Sequence, residues 1–203
     1  MKTSAVITLA VDAHTVLGEV SQPTMRSYAE KIGADFIVIS ERVYKELKPQ
    51  YEKFQLRKHL NEYRRIFYVD ADAVIRRDTP NVFDLVPEGM LGAVIEKVNG
   101  QPSPYINSGV MVIDQAHKFI FDPPITTEGL WYDQAHINRA IQKNPNIVFS
   151  LPREFNFKPL VGKHSEELWE TAYIIHFANL SVPVDHKKKS MQSVLDTWAK
   201  SSM

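Results

Sequence analysis

The sequence predicts an α/β protein: a single domain over residues 1–203, with a mostly parallel central sheet flanked by helices. Three observations predict it. Short apolar runs alternate with stretches of helical period through the first half of the chain, the pattern of βαβ units. Several runs, Phe36-Ile37-Val38-Ile39 among them, are apolar throughout, as expected of strands covered on both faces. The chain has 203 residues, 44% hydrophobic and 24% charged, which is enough for one core of ordinary size.

Strands are read at Ala5–Ala10, Asp35–Ile39, Arg65–Asp70, Gly92–Glu96, Gly109–Asp114, Ile147–Ser150 and Tyr173–Phe177. Each is short and apolar. Helices are read at Ser21–Lys31, Tyr51–Arg64, Tyr132–Gln142 and Ser190–Lys200. In the second helix Leu56, Leu60 and Tyr63 share a stripe, the core-facing pattern. In the last, Met191, Val194, Leu195 and Trp198 make an amphipathic face that packs on the domain. Gly100–Pro104 and Phe121–Gly129 are irregular, proline-bearing stretches that suit active-site loops or surface connections.

Composition excludes several functions. The formal net charge is zero, so no general field draws the protein to nucleic acid. There is no cysteine, which removes disulfides, thiolate metal sites and cysteine nucleophiles. That fits a reducing cytosol, and a cytoplasmic location is the expectation. The apolar run Ala5–Ala10 is too short for a signal peptide, and Asp12 ends it. No run reaches the roughly 18 apolar residues of a membrane span.

The chemistry concentrates in Phe67-Tyr68-Val69-Asp70-Ala71-Asp72. Residues i and i+2 of a strand face the same way, so Asp70 and Asp72 lie side by side at its carboxyl end. Ligands of parallel sheets collect at that edge. Two adjacent carboxylates repel unless a cation lies between them. Mg²⁺ or Mn²⁺, held by one or two carboxylates plus substrate phosphates, is the simplest cation, and it points to phosphate-ester or nucleotide chemistry.

Other residues have two readings each. Lys53 opens the stripe of Leu56 and Leu60, so it reaches either an anion or water. Asp133 and Gln134 start the third helix, facing a substrate or, for Asp133, capping the helix. Asn107-Ser108-Gly109 is a turn, or an approach of backbone and amide to a sugar or phosphate. His176, at the end of an apolar strand, is a core residue or the third ligand of a metal, with imidazole favouring Mn²⁺. Lys187, Lys188 and Lys189 form a solvated face or close over a diphosphate.

In this order, these pieces resemble the GT-A class of nucleotide-sugar glycosyltransferases. They resemble most the retaining family that includes glycogenin and bacterial lipo-oligosaccharide galactosyltransferases, glycosyltransferase family 8. Tyr51-Glu52-Lys53-Phe54 looks like the family's helix start. Tyr68-Val69-Asp70-Ala71-Asp72 is similar to its Asp-x-Asp strand, and Tyr105-Ile106-Asn107-Ser108-Gly109-Val110 to its Phe-Asn-(Ser/Ala)-Gly-Val strand. Asp133-Gln134, Leu151-Pro152 with Phe155-Asn156-Phe157, and Ile174-Ile175-His176-Phe177 resemble its later motifs. The resemblance implies metal-dependent transfer of a hexose from a nucleoside-diphosphate sugar, most often a UDP-sugar, to a hydroxyl of a glycan or related acceptor. Asp70, Asp72 and His176 would bind Mn²⁺ or Mg²⁺. Ala10 and Asp12 would hold the base, Lys53 would reach the donor, and Asn107 and Ser108 would contact ribose or sugar. Asp133 would hydrogen-bond the sugar and Gln134 would lie under the anomeric carbon. If configuration is retained, a front-face route fits; if inverted, Asp133 is the first candidate base. The family's His-x-x-Gly-x-x-Lys-Pro-Trp is replaced after His176 by Phe177-Ala178-Asn179-Leu180-Ser181-Val182-Pro183-Val184, and Ala135 follows Asp133-Gln134. The phosphate-binding lysine is then either supplied by Lys187, Lys188 or Lys189, or absent.

Two further enzymatic readings use the same aspartates. Asp70-Ala71-Asp72-Ala73-Val74 also fits the nucleophile motif of haloacid-dehalogenase phosphatases, although two strands precede it here. A nucleotidyltransferase would need a Gly-rich phosphate loop near the amino terminus, and the chain has none there. A nucleotide-sugar or glycan-binding module without catalysis is the non-enzyme alternative.

Overall fold

The computed structural model describes residues 2–98, 101–122, 133–159, 169–178 and 182–201. Among the described residues, eight strands form two sheets. β1 (Lys2–Leu9), β2 (Asp35–Ile39), β3 (Tyr63–Val69), β5 (Leu91–Val98), β6 (Gln101–Asp114) and β7 (Val148–Ser150) build the main sheet in the order β2-β1-β3-β6-β5-β7. The pairings β1–β2, β1–β3 and β5–β7 are parallel, and β6 runs antiparallel to β3 and β5, so the sheet is mostly parallel. β4 (Ala73–Ile75) and β8 (Ile174–His176) form a small antiparallel pair beside it. The helices are α1 (Thr15–Ile32), α2 (Leu56–His59), α3 (Val82–Leu85), α4 (Asp133–Gln142) and α5 (Val184–Ser201).

Alternation along the central strands explains the sheet's two coats. Ala5, Ile7, Ile66, Tyr68, Met111 and Ile113 pack on one face with Tyr51, Phe54, Leu60, Ile137 and Ile141. Val6, Phe67, Val69, Val110 and Val112 point the other way, onto Met25, Tyr28 and Ala29 of α1. A stretch of strand covered on both sides must be apolar at successive positions, as Ala5–Ile7 of β1, Ile66–Val69 of β3 and Val110–Ile113 of β6 are. β2 is the sheet edge, so Phe36, Ile37 and Val38 are only half-buried despite their unbroken apolar run.

Several boundaries differ from the sequence reading. α1 begins six residues before Ser21, running through Gly18 and Pro23, and stops at Gly33, whose φ of 70° a side chain would resist. The helix read over residues 51–64 is a 3₁₀ helix (Pro49–Gln55) followed by the single turn α2, and Tyr63 already belongs to β3. Its stripe is real, since Leu56, Leu60 and Tyr63 all enter the core, but three kinds of backbone deliver it. Asn107-Ser108-Gly109 lies inside β6 rather than in a turn, and residues 101–104 are also strand. β4 and α3 were not read at all. Residues 123–129 of the second irregular stretch, and Tyr132, lie outside the described residues.

The last helix starts at Val184, six residues earlier than read. Met191, Val194 and Trp198 are buried against Leu17, Val20, Val74, Phe157 and Ile175. No described helix is long and apolar enough to cross a membrane.

Met191 is fully buried, so Met191→Ala should lower the unfolding free energy by about 2–5 kcal/mol. The exposed neighbour Gln192→Ala should change it by less than about 0.5 kcal/mol. Urea denaturation of both variants measures this; equal effects would mean α5 does not dock as described.

Candidate active site

Strand register gathers the site. β1 and β3 are parallel, so both end at the same edge of the sheet. β6 comes back antiparallel, with Val110 opposite Val69. Asp70 therefore follows β3 where β6 passes, and its N–H donates to the Gly109 carbonyl at 2.8 Å. Between β5 and β6 the pairing jumps from Ala93↔Met111 to Ile95↔Ile106. β6 thus spends three residues more than β5 on this stretch, a bulge that carries Asn107, Ser108 and Gly109 to the sheet edge.

Asp70 continues the face of Tyr68, whose hydroxyl donates to Asp70 Oδ1 at 2.5 Å. Burial, then the Asp70 charge, holds the Tyr68 phenol well above its ordinary pKa, so it stays a donor. Asp70, Asp72 and His176 each present a ligand atom, all within 4.8 Å of one another. His176 Nε2 lies 3.1 Å from Asp72 Oδ1 and 3.6 Å from Asp70 Oδ2.

A chain of hydrogen bonds fixes which ring nitrogen faces the carboxylates. The backbone N–H of Gly109 can only donate, and it meets Asn107 Oδ1 at 3.0 Å. The same oxygen accepts from Asn156 Nδ2 at 2.9 Å. Asn156 Oδ1 therefore faces His176 Nδ1, at 2.9 Å, and takes its proton. In the neutral ring Nε2 then carries the lone pair and looks at two carboxylates. Three acceptors facing one another are favourable only around a cation, and oxygen–oxygen–imidazole suits Mn²⁺. The donor set fits a divalent metal.

Two buried lysines balance the rest of the charge. Lys53, from the 3₁₀ helix, is 3% exposed. Its Nζ lies 2.6 Å from Asp133 Oδ2, 3.4 Å from Asp70 Oδ1 and 3.1 Å from the Ser108 carbonyl. Burial alone would lower its pKa, but Asp133 and Asp70 outweigh that and raise it above the ordinary 10.5. Lys187, in the first turn of α5, is also buried, with Nζ 2.6 Å from Asp72 Oδ2. Asp72 would be raised by burial, but His176 when its ring is protonated, and Lys187, hold it well below the usual carboxylate range. Lys188 pairs instead with Glu19 on the surface, and Lys189 is exposed.

Asp133 is the first residue of α4, and besides Lys53 it accepts from Ser108 Oγ at 3.2 Å. Gln134 Oε1 accepts from the Ser108 N–H at 3.1 Å and Asn107 Nδ2 at 3.2 Å. These groups line a cavity of about 270 Å³ with Leu9, Val11, His14, Pro49 and Gln50. Ala10 and Asp12 do not line it. The Ala10 N–H is spent on the Ile39 carbonyl, and Asp12 pairs with Arg42 at 3.1 Å. Arg42 and the fully buried Glu52 fold the 42–47 loop over the 3₁₀ helix. Glu52 accepts from the Val43 and Tyr44 N–H groups at 2.9 and 2.8 Å.

The sequence reading brought together Lys53, Asp70, Asp72, Asn107, Ser108, Asp133, Gln134 and His176, and all eight line the cavity. Asn156 had no assigned role. A buried histidine with one nitrogen on carboxylates needs an acceptor for the other, which was the available signal. Gln50 and His14 carried no motif.

Two outcomes are expected here. A Cβ on Gly109 would lie 2.1 Å from His176 Cε1 and 2.6 Å from Asp70 Oδ2. Gly109→Ala should therefore weaken Mn²⁺ binding by about 10–100-fold, read by titration calorimetry; unchanged affinity would contradict the donor set. Lys53→Met should cost about 3–5 kcal/mol near neutral pH by leaving its carboxylates unpaired. Because the folded pKa is raised, wild type keeps this stability below pH 10.5 and loses it as pH climbs through the folded value. The gap between wild type and variant should be flat from pH 7 to about 10 and narrow above.

No protein-family model and no curated protein sequence matches the chain. Solved structures do. A glycosyltransferase involved in the glycosylation of the major capsid of PBCV-1 superposes with a TM-score of 0.67 at 12% identity, covering 94% of this chain and 99% of that one. The glycosyltransferase GlyE of Streptococcus pneumoniae gives 0.59 at 15%, covering 100% and 64%. An active-site mutant of LgtC gives 0.54 at 14%, covering 93% and 95%. At such identities the likeness is one of fold, and the fold is that of the GT-A glycosyltransferases.

Proposed function

We propose that the protein transfers a hexosyl group from a nucleoside-diphosphate sugar, a UDP-sugar in the first instance, to a hydroxyl of a glycan acceptor, with Mn²⁺ or Mg²⁺ bound. The observation that carries this is the set Asp70, Asp72 and His176 with its imidazole lone pair turned inward, at the ligand-binding edge of a glycosyltransferase fold. Such an ion would neutralise charge developing on the departing diphosphate.

The chain's own groups would do the rest. Lys187 stands beside Asp72 and would bind the diphosphate, supplying the lysine missing after His176. Lys53 holds Asp133 in place as a charged acceptor for sugar hydroxyls. With Lys53 and the Ser108 hydroxyl both on Oδ2, the geometry favours that hydrogen-bonding role over the role of general base. Asn107, Ser108 and Gln134 form one hydrogen-bonded cluster suited to a hydroxyl-rich ligand. The turn containing Ala10 and Asp12 borders the end of the cavity that would receive the nucleoside.

Asp72→Asn should reduce sugar transfer by roughly 10²-fold or more under either stereochemical route. It should also abolish the Mn²⁺-dependent rise in melting temperature caused by the donor. Near-normal transfer by this variant would overturn the assignment.

A further inference from the structure

The cavity lining has two chemically different parts. Asp133, Gln134, Asn107 and Ser108 are polar or charged. Leu9, Val11, His14, Pro49 and Gln50 come from the end of β1, the turn after it and the start of the 3₁₀ helix. Leu9 and Val11 are buried apolar residues. Among these five residues Gln50 Oε1 is a buried acceptor with no hydrogen-bond partner. A buried acceptor left unpaired costs about 1–3 kcal/mol, so such atoms are rare without a reason.

Backbone geometry places this atom relative to the charged centre. Gln50 and Lys53 are three residues apart in the 3₁₀ helix Pro49–Gln55. Residues i and i+3 of such a helix eclipse, about 6 Å apart along the axis. Gln50 thus stands on the edge that carries Lys53, one turn nearer the helix start. Glu52, pinned by the 42–47 loop, faces away and fixes that edge toward the cavity. Asp12, the nearest charged alternative, is engaged by Arg42 and lies outside the cavity lining.

A slot with apolar walls and one acceptor suits a flat ring that carries an N–H. We propose that Gln50 reads the nucleobase of the bound nucleoside diphosphate, its Oε1 accepting a ring imide N–H or an exocyclic amine N–H. The inference rests on the functional reading above and adds a specificity residue to it. No hydrogen bond joins Gln50 Oε1 to the metal ligands or to Asp133, so its part in binding is separable from theirs.

The test is titration calorimetry with UDP, GDP, CDP, ADP and inorganic pyrophosphate, each with Mn²⁺, on wild type and Gln50→Ala. Wild type should bind at least one nucleoside diphosphate more tightly than pyrophosphate. Preference for UDP or GDP identifies the imide donor, and preference for CDP or ADP the amine. Gln50→Ala should bind the preferred nucleotide about 3- to 10-fold more weakly, with pyrophosphate within twofold of wild type. Its melting temperature should not fall, because no native hydrogen bond is lost. Equal losses on nucleotide and pyrophosphate, or no loss on the nucleotide, would overturn the role of Gln50 and leave the transferase reading standing. No binding of any nucleotide by wild type would overturn both.

Discussion

Three carboxylates, those of Asp70, Asp72 and Asp133, meet at one buried edge of the sheet, and much of the structure is arranged around their mutual repulsion. Lys53 spans Asp133 and Asp70, and Lys187 takes one oxygen of Asp72. Two ammonium groups against three carboxylates leave a net negative centre, with His176 Nε2 adding a lone pair. A cluster of that kind stays folded only if its charges are fixed at close range. Each is: every one of these side chains has a charged partner within 3.6 Å. An added divalent cation would reverse the sign of the centre and make it a seat for a diphosphate.

The backbone supports this through the bulge in β6. Gly109 serves two ends at once. It leaves room for His176 and Asp70 where any side chain would collide, and its N–H sets the polarity of the amide chain through Asn107 and Asn156. The direction of the histidine's proton is thereby fixed by a backbone group three contacts away. Asn156 arrives from the 3₁₀ turn before β8, so the metal-facing nitrogen depends on the pairing of distant segments.

The central strands were legible because they obey simple rules. A nearly unbroken apolar run has to be covered twice, and the apolar segments of β1, β3 and β6 are. The carboxylate pair was legible for the same reason, since Asp70 keeps the phase of Tyr68. What was lost had a physical cause each time. The stripe Leu56, Leu60, Tyr63 fits a helix by spacing, yet a 3₁₀ segment, one α turn and a strand start bury the same residues. Asn107-Ser108-Gly109 has turn composition, but a bulged strand uses the same permissive backbone. Phe36 to Val38 pack against the core on both faces but only in part, because β2 is the sheet edge and sheet order is set by distant pairing. Gln50 was invisible, since an unpaired buried oxygen can be recognised only once its surroundings are known.

Lys187 shows where a legible pattern went unused. Lys187, Met191, Val194 and Trp198 fall at i, i+4, i+7 and i+11, one continuous helical stripe, and all four are buried. Lys53 opens a buried stripe in the same manner, ahead of Leu56 and Leu60. Lys187 lies at the start of α5, where helical backbone dipoles disfavour positive charge, whereas Lys53 lies in the last turn of its 3₁₀ helix. A buried ammonium is sustained by anions close by, and each lysine has them: Asp133 and Asp70 for Lys53, Asp72 for Lys187. The apolar stripe of α5 anchors the helix on α1 and β4, and that anchoring holds Lys187 over Asp72. Packing up to 11 residues downstream, at Trp198, is in this way coupled to the charge state of the site, because the helix cannot shift without withdrawing the cation from Asp72.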